Sequence, residues 1–471
     1  MKNCFAYAGL VGIVLALPML AAEKIALPKD LPAYGALSPL KTPDVKQFKL
    51  DNGLTVWLVP QAGFPKVAFT IAVRGGYTAD PKDHPGMADV IAATVKQGTS
   101  TRSAKQLAED IAAAGGDLSA DAGADSIAIT TSVLSSHAVA ALQLLADMMR
   151  NAAFSDPEVA IAKNNLISGI EANEADPSFL GRRALYRVMY GDHPYSIISP
   201  TKDSVAKTTA AELKREYARR FRPERTLLVL SGDFAEQAIT TAIRSSFGPW
   251  NGSGEAGAID DEKPKQSLSR AIVYVPRANS VQTAFYIGAY GPTRKDPDYA
   301  AARVANAIYG GMFGSRLITN IREDKGYTYS PYARLAPNRE AGLLITSADV
   351  RNPVTGASFN EIAYELNRMA TTVPGEVEVE SAKRYILGST AINLQSRASV
   401  SLTLARLWID SLPPEEIGNQ TRQVESVKRE DVQTAGRKYF PAWRATVVAV
   451  GEEKVVKDEL APFGLEFQKA Q

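Results

Sequence analysis

The chain contains one cysteine and three histidines among its 471 residues. The cysteine, Cys4, lies in the opening stretch MKNCFAYAGLVGIVLALPMLAA, which has one lysine, an apolar run and two final alanines. This order is typical of a secretory signal peptide over residues 1–22, cleaved after Ala21 or Ala22. An uncleaved anchor is the alternative, because the apolar run is just long enough to span a bilayer. Cleavage would leave no cysteine, which excludes disulfides and thiol catalysis.

The sequence also lacks an excess of charge of one sign. Its formal net charge is +2, and the basic residues form no blocks. We therefore expect no nucleic-acid partner. We also expect no membrane contact apart from the signal peptide, because no later stretch approaches membrane-spanning length. An exported chain without cysteine suits the periplasm of a Gram-negative cell, and secretion is the alternative.

A repeated pattern divides the remaining chain into two similar halves. The composition, 45% hydrophobic and 22% charged, is that of a globular protein with an ample core. The stretch VAFTIAVRGGYTADPKD (67–83) aligns without a gap with TAFYIGAYGPTRKDPDY (283–299), and the ends of the two halves, 221–233 and 439–452, also resemble each other. The identical pairs, all 216 residues apart, are Ala68/Ala284, Phe69/Phe285, Ile71/Ile287, Gly75/Gly291, Asp80/Asp296 and Pro81/Pro297.

Each half is predicted to be an α+β unit, a sheet with helices laid on it. KQFKLDNGLTVWLVP has the turn residues of a β-hairpin, and residues 125–134 and 341–350 read as strands. Residues 137–154 have apolar side chains at helical spacing. We predict an extended Pro-rich arm over 23–44, a first domain over 45–250, a Gly/Ser-rich charged linker over 251–269 and a second domain over 270–467.

One helix has the frame of a metal site without its ligands. Two ligands at positions i and i+4 project from one helical face and reach the same ion. The stretch GMADVIAATVKQGT (86–99) resembles, in its flanks and length, the H-x-x-E-H helix of the M16 zinc metallopeptidases, the pitrilysin, insulinase and mitochondrial processing peptidase family. The two histidine positions hold Asp89 and Ala93, the glutamate position holds Ala92, and the distal glutamate position holds Gly169.

These replacements predict a chain without a metal or a catalytic residue of its own. Asp89 is expected to be an exposed carboxylate with no second ligand, and Glu171 and Glu174 to lie on a solvated helix face. His84, His137 and His193 have no ligand set around them in the sequence. Met87, Val90, Ile91 and Val95 are expected to face the core, so the helix would keep its packing role.

The second half carries a positive signal. YGGMFGSRLITNIREDKGYTYSPYA (309–333) resembles nearly throughout the M16 segment whose arginine and tyrosine hold substrate near the zinc of the facing subunit. The resemblance assigns substrate binding to Arg322 and Tyr329. Gly310, Gly311 and Gly326 would allow tight turns near the substrate. The alternative is a structural ion pair of Arg322 with Glu323 or Asp324, and a core tyrosine.

The resemblance implies two homologous M16-type domains, each a mixed or antiparallel sheet covered by helices, that form one half of a clam shell. The leading hypothesis is a catalytically inactive subunit of a periplasmic heterodimeric peptidase. It would supply chamber wall, Arg322 and Tyr329 to an active M16-type partner that holds zinc and degrades extended peptides. A peptide-binding or scaffold protein without a proteolytic partner is the main alternative, and a hydrolase with an unrecognised site is a third.

Overall fold

The computed structural model describes residue 40, residues 42–252 and residues 254–470. The predicted signal peptide and residues 23–39 of the predicted arm lie outside these residues. None of the helices that are described is long and apolar enough to cross a membrane. The fold is α+β, as predicted, with two sheets covered by helices.

The strands follow the chain from the N-terminal to the C-terminal half. They are β1 (Lys46–Lys49), β2 (Thr55–Pro60), β3 (Lys66–Arg74), β4 (Leu118–Ala122), β5 (Ser126–Leu134), β6 (Thr226–Gly232), β7 (Ile272–Pro276), β8 (Gln282–Gly291), β9 (Tyr332–Pro337), β10 (Gly342–Arg351), β11 (Thr446–Gly451) and β12 (Phe467–Lys469).

The helices lie between the strands. They are α1 (Met87–Val95), α2 (Ala104–Ala113), α3 (Ala138–Asn151), α4 (Asp156–Glu174), α5 (Pro177–Tyr190), α6 (Lys202–Lys207), α7 (Ala210–Arg220), α8 (Glu236–Phe247), α9 (Tyr299–Asn306), α10 (Arg316–Ile318), α11 (Thr355–Thr371), α12 (Glu376–Asn393), α13 (Arg397–Ile409), α14 (Glu416–Ser426), α15 (Arg429–Tyr439) and α16 (Glu453–Leu460).

The repeat in the sequence is a repeat of sheet topology. Within the described residues the strands form two six-stranded sheets, ordered β1-β2-β6-β3-β5-β4 and β12-β7-β11-β8-β10-β9. From the second strand onward the two orders correspond one to one. The long central strands β3 and β8 begin 216 residues apart, at Lys66 and Gln282. Both sheets are mixed, because β2 runs parallel to β6 and β7 runs parallel to β11.

The predicted hairpin at the start of the first half is present. Strands β1 and β2 pair antiparallel, and Gly53 in their turn has a φ of 96°. Few residues other than glycine adopt this conformation without strain. The neighbouring Asn52 donates hydrogen bonds from its side chain to the carbonyl oxygens of Phe247 and Trp250, both at 2.8 Å. The turn therefore also joins the hairpin to the end of α8.

Both central strands are buried on both faces, so their sequences are nearly continuous apolar runs. Along β3, Val67, Phe69, Ile71 and Val73 contribute to the core shared with the helices of the first half. Ala72 belongs instead to a cluster with Val400 and Leu404 of α13, a helix of the second half. Each sheet is thus covered by its own helices on one face and by a helix of the other half on the opposite face.

The exchange of helices is reciprocal. Helix α13 lies on the first sheet, where the hydroxyls of Thr70 and Ser401 are 2.8 Å apart. Helix α5 of the first half lies on the second sheet. It approaches β8 closely because two glycines provide room: a Cβ at Gly181 would meet the ring of Tyr286, and a Cβ at Gly288 would meet Leu185. The two halves therefore share their cores and form one compact unit.

Candidate functional site: a degenerate metal helix and an exposed arginine–tyrosine segment

Helix α1 is anchored at its N-terminus by a buried carboxylate. Asp80 accepts hydrogen bonds from the backbone N–H groups of Gly86 at 2.7 Å and Ala88 at 3.0 Å. The guanidinium of Arg220 lies 2.8 Å from the same carboxylate, and both side chains are almost completely buried. A carboxylate at a helix N-terminus satisfies N–H groups that have no partner within the helix. This contact fixes where α1 begins, although Asp80 and Arg220 were not singled out as functional residues in the sequence.

The apolar face of α1 packs as predicted. Met87, Val90, Ile91 and Val95 are all buried in the core of the first half. Ala92 is buried as well. The replacement of the glutamate of H-x-x-E-H by alanine therefore places a small apolar group on a closely packed part of the helix.

The prediction that Asp89 is an exposed carboxylate is wrong. Asp89 is half-buried, and one of its oxygens accepts a hydrogen bond of 3.3 Å from the hydroxyl of Tyr77. Its other oxygen is buried without a hydrogen-bond donor among the described residues. Burial raises the pKa of Asp89 to about 7, against the lowering effect of the Tyr77 hydrogen bond. Asp89 is therefore a weakly solvated carboxyl group that prefers its protonated form more than an ordinary aspartate does.

Gly169 lies on the helix that faces α1. Helix α4 packs against α1, and Ile170 contributes to the shared core. Gly169 itself is exposed, with open space where a Cβ would stand. On the same helix the solvated acids form ion pairs: Lys202 lies 3.8 Å from Glu171 and 3.4 Å from Glu174. Helices α1 and α4 therefore pack together, but residue 169 is a glycine and has no side chain that could reach α1.

Two of the three histidines, His84 and His193, make structural hydrogen bonds through their side chains. The Nε2 atom of His84 lies 3.0 Å from the carbonyl oxygen of Ser204 and 2.8 Å from the hydroxyl of Thr208. The Nδ1 atom of His193 accepts a hydrogen bond from the backbone N–H of Tyr195, and His137 precedes α3. Within the ranges that the structure describes, no three His, Cys, Asp or Glu side chains are close enough to hold a metal ion.

The segment after α9 departs from regular α-helix at two places. Residues 307–311 and 319–324 form π-helical turns on either side of the short α10. Arg316 of α10 makes two parallel hydrogen bonds to Glu378 of α12, at 2.7 and 2.8 Å. Such π-turns often occur at functional sites. The Arg316–Glu378 pair fixes the segment against α12, and no pattern in the sequence indicated this pair.

Arg322 and Tyr329 both reach the surface of this segment. The side chain of Arg322 is 35% exposed, and its Nε atom lies 3.2 Å from Glu323. Its guanidinium lies 4.9 Å from the ring centre of Phe313, which is itself 67% exposed. Tyr329 is 87% exposed. The alternative of an ion pair with Glu323 is therefore present in the structure, whereas the alternative of a core tyrosine is wrong.

The three glycines that were predicted to allow tight turns near the substrate are each required by a different local contact or backbone angle. Gly310 is buried, and a Cβ there would lie 2.9 Å from Ala333 of β9. At Gly311 a Cβ would meet the side chain of Asn306. Gly326 has a φ of 63° and lets the N–H of Tyr327 return to the carbonyl of Ile321 at 2.8 Å. All three shape the backbone of the segment.

Comparison with known proteins agrees with this architecture. The model of the insulinase family, peptidase family M16, matches residues 56–200, and the model described as the peptidase M16 inactive domain matches residues 207–386. The chain belongs to the M16 peptidase family. An uncharacterized zinc protease, YmxG, of Bacillus subtilis is 25% identical over 365 residues, which cover 75% of this chain and 86% of the relative. A Helicobacter pylori protein named non-peptidase homolog YmxG is 24% identical over 353 residues, covering 73% and 79%.

Solved structures share the M16 fold with this chain. The peptidase M16 inactive domain from Pseudomonas fluorescens superposes with a TM-score of 0.81 at 23% identity, and covers 91% of this chain and 100% of its own. A protease from Helicobacter pylori gives the same TM-score at 16% identity, covering 87% and 100%. At 23% and 16% sequence identity, these superpositions establish a shared fold only.

The residues of this M16 chain do not fit the family's zinc. Asp89 supplies one carboxyl group whose proton affinity is raised, and Ala93, Ala92 and Gly169 supply no donor atoms. Zinc in M16-type sites needs three protein ligands and a carboxylate that activates water. The expectation that this chain holds no metal stays a prediction, and no step of a reaction is assigned to Asp89. The chain is an inactive-type homologue of the family.

Proposed function

We propose that the chain is the non-catalytic subunit of a heterodimeric M16-type zinc peptidase, exported to the periplasm, and that Arg322 and Tyr329 hold the peptide substrate. The observation that carries the proposal is the exposure of Tyr329 on a segment that is otherwise tightly fixed. The segment is anchored by the Arg316–Glu378 pair, yet it leaves 87% of the Tyr329 side chain accessible.

The exposed side chains suit an extended peptide. The Arg322 guanidinium offers several N–H donors for backbone carbonyl oxygens, and the Tyr329 phenol can donate to an oxygen that gains negative charge. Phe313 lies against Arg322 and adds an exposed apolar surface. Aromatic side chains gathered at an exposed site often mark a binding surface. Together they present charge, a hydroxyl and apolar contact on one segment.

The active partner would supply the H-x-x-E-H helix, the distal glutamate and the zinc. This chain would supply chamber wall and peptide contacts, and the substrate would lie extended along a sheet edge of the partner. The replacements at Asp89, Ala92, Ala93 and Gly169 support an assembly of two unlike subunits, in which the partner performs catalysis and this chain contacts the substrate. The name of the Helicobacter pylori relative, a non-peptidase homolog, is consistent with it.

The test is reconstitution with an exported M16 homologue that has an intact H-x-x-E-H motif and is encoded beside this chain. The pair should cleave an unfolded peptide, and each subunit alone should not. Tyr329→Phe should lower the kcat/KM of the pair by about 100-fold, as the loss of one oxyanion donor does elsewhere. Arg322→Ala should mainly raise KM, because it removes contacts to the bound peptide.

Matched surface residues serve as controls. Tyr364→Phe removes the hydroxyl of another exposed tyrosine, and Arg437→Ala removes an exposed arginine on α15; both should leave kcat/KM unchanged. Unchanged rates in Arg322→Ala and Tyr329→Phe would refute the assignment of the two residues. Chelator-sensitive cleavage by this chain alone would refute the non-catalytic role. Peptide binding without any cleavage by the pair would favour the scaffold alternative.

A further inference from the structure

Helix α12 of the second half presents apolar side chains to solvent. Val377, Tyr385 and Ile392 are 79%, 47% and 68% exposed, and no other helix in the described part of the chain carries more than one large apolar residue so exposed. We propose that these three residues, the α12 stripe, bind extended apolar segments of unfolded peptides. This role rests on the proposed function and specifies the class of its substrate.

The three side chains of the α12 stripe lie on one side of the helix. At about 100° per residue they fall within an arc of about 80°, and the small residues Ser381 and Gly388 lie between them. The core residues of α12 lie outside this arc: Val379, Ala382, Ile386 and Leu387. A helix with one apolar face in the core usually turns polar residues outward. The α12 stripe is therefore a second apolar face.

The equivalent helix of the first half shows that the fold does not require this face. Helices α4 and α12 are each the second helix after a long strand, β5 or β10. On α4 the one large apolar residue with such exposure is Ile161, and exposed positions such as Asn165 and Glu171 are polar. Because apolar surface in water is unfavourable, a ligand that covers the α12 stripe would give it a purpose that packing does not.

The size of the α12 stripe favours a peptide over a folded subunit. Its 15-residue span is about 22 Å long at about 1.5 Å per residue. A stable subunit interface buries about 800 Å² and roughly 20–30 residues on each side, far more than three side chains offer. An extended chain rises about 3.3 Å per residue, so roughly six or seven residues cover the stripe, with an apolar side chain at every third or fourth position.

The α12 stripe borders the segment that carries the two proposed substrate-binding residues. Glu378 lies two helical turns before Tyr385, about 20° away around the helix, and accepts the two hydrogen bonds from Arg316 of α10. The π-helical turn that contains Arg322 follows α10 directly. A peptide held at Arg322 and Tyr329 would continue along α12, where apolar contacts add selectivity to the contacts with its backbone.

Binding can be measured with the whole chain alone, without cleavage. The probe is a fluorescein-labelled peptide of about twelve residues, with leucine or phenylalanine at every third or fourth position and serine and glycine elsewhere. The control peptide has serine at every apolar position. In a fluorescence anisotropy titration the apolar peptide should bind at least about tenfold more tightly, because it covers apolar side chains that serine does not.

Matched variants locate the site. The double variant Val377→Ser/Ile392→Ser should weaken binding of the apolar peptide about tenfold and leave binding of the serine peptide unchanged. Ile161→Ser on α4 and Val281→Ser in the turn before β8 also remove exposed apolar side chains, and should bind like the unmodified chain. All four positions are exposed, so thermal unfolding should give the same Tm for every variant.

The reconstituted pair separates this proposal from the proposed function. The double variant should raise the KM of the pair for the apolar peptide about tenfold without changing kcat. If Arg322→Ala and Tyr329→Phe impair the pair but the double variant alters neither binding nor KM, the α12 stripe assignment alone is wrong. If the pair cleaves nothing but the double variant still loses apolar binding, the proposed function is wrong and the stripe is supported.

Two further outcomes would overturn the proposal. Equal binding of the apolar and serine peptides would show that the α12 stripe does not select apolar side chains. A concentration-dependent dimer of the unmodified chain in sedimentation experiments, lost in the double variant, would show that a second copy of the chain covers the stripe.

Discussion

In the first half Asp80 is enclosed by Arg220 and two backbone N–H groups. Its equivalent in the second half, Asp296, accepts side-chain hydrogen bonds only from Thr293 among the described residues. The two aspartates follow equivalent strands and precede equivalent helices. One fixes a helix through a buried ion pair, and the other closes a local turn. The comparison teaches that the repeat conserves the path of the chain while equivalent positions take on different energetic roles.

The helical regions that follow these two aspartates also differ between the halves. Helix α1 is regular and packs against α4 and α7 and against strands β4 and β5. The corresponding region after α9 contains two π-helical turns and a left-handed glycine before Tyr329. Arg322 lies in the second π-helical turn, and Tyr329 lies in the loop that follows it. The second half therefore presents Arg322 and Tyr329 at its surface, whereas helix α1 of the first half is closely packed.

The largest predicted difference between the halves is at the two aspartates. Arg220→Ala should lower the free energy of unfolding by about 3–5 kcal/mol, because Asp80 would remain buried without its cation. Asp296→Ala should lower it by only about 1 kcal/mol, the usual value for a local hydrogen bond. Urea unfolding measures both. Arg215→Ala, at an exposed site of the same helix α7, is the control; a loss from Arg220→Ala no larger than this control would contradict the prediction.

The exchanged helices should be equally important to both halves. Leu404 on α13 and Leu185 on α5 are fully buried against the opposite sheet. Leu404→Ala and Leu185→Ala should each lower the free energy of unfolding by about 2–5 kcal/mol, in a single transition seen by all probes. Ile161→Ala at an exposed site of α4 should have little effect. Two separate transitions would show that the halves unfold independently.

Asp89 should make the stability of the first half depend on pH. Its pKa is raised to about 7 in the folded state, above the ordinary value of about 4. The folded state therefore binds the proton more tightly, and its stability falls as pH rises from about 4 to about 7. Asp89→Asn should match the unmodified chain near pH 4 and exceed it at pH 8 by about 1–4 kcal/mol.

Thermal unfolding at both pH values measures this difference. Asp192→Asn, at a fully exposed carboxylate, should show no such gain at pH 8. A constant difference between Asp89→Asn and the unmodified chain across this pH range would rule out titration of Asp89 as its source.

The smallest predicted effects have opposite signs in the two halves. Gly169→Ala should raise the free energy of unfolding by about 0.5–1 kcal/mol, because the site is an exposed helix interior with room for a Cβ. Gly326→Ala should lower it by about 1 kcal/mol, because its φ of 63° is unfavourable for alanine. Chemical unfolding of the two variants side by side gives the comparison, and effects of the same sign would contradict it.

Much of the fold could be predicted because it depends on local pattern. The hairpin at Asn52 and Gly53, the strands at 125–134 and 341–350 and the buried face of α1 all follow from residue spacing and turn chemistry. The environment of Asp89 could not be predicted, because Tyr77 and the packing around it are set by tertiary contacts. The partners of Arg220 and Arg316, which are Asp80 and Glu378, lie on distant elements for the same reason.

The sequence by itself determined the repeat, the α+β class and the absence of ligand-type residues at Ala92, Ala93 and Gly169, since these depend on residue identity and order. Only the tertiary structure decided that α5 and α13 exchange sheets and that Tyr329 is exposed. Burial and charge compensation are sums over neighbours that are remote in the chain, and the chain order does not contain those neighbours.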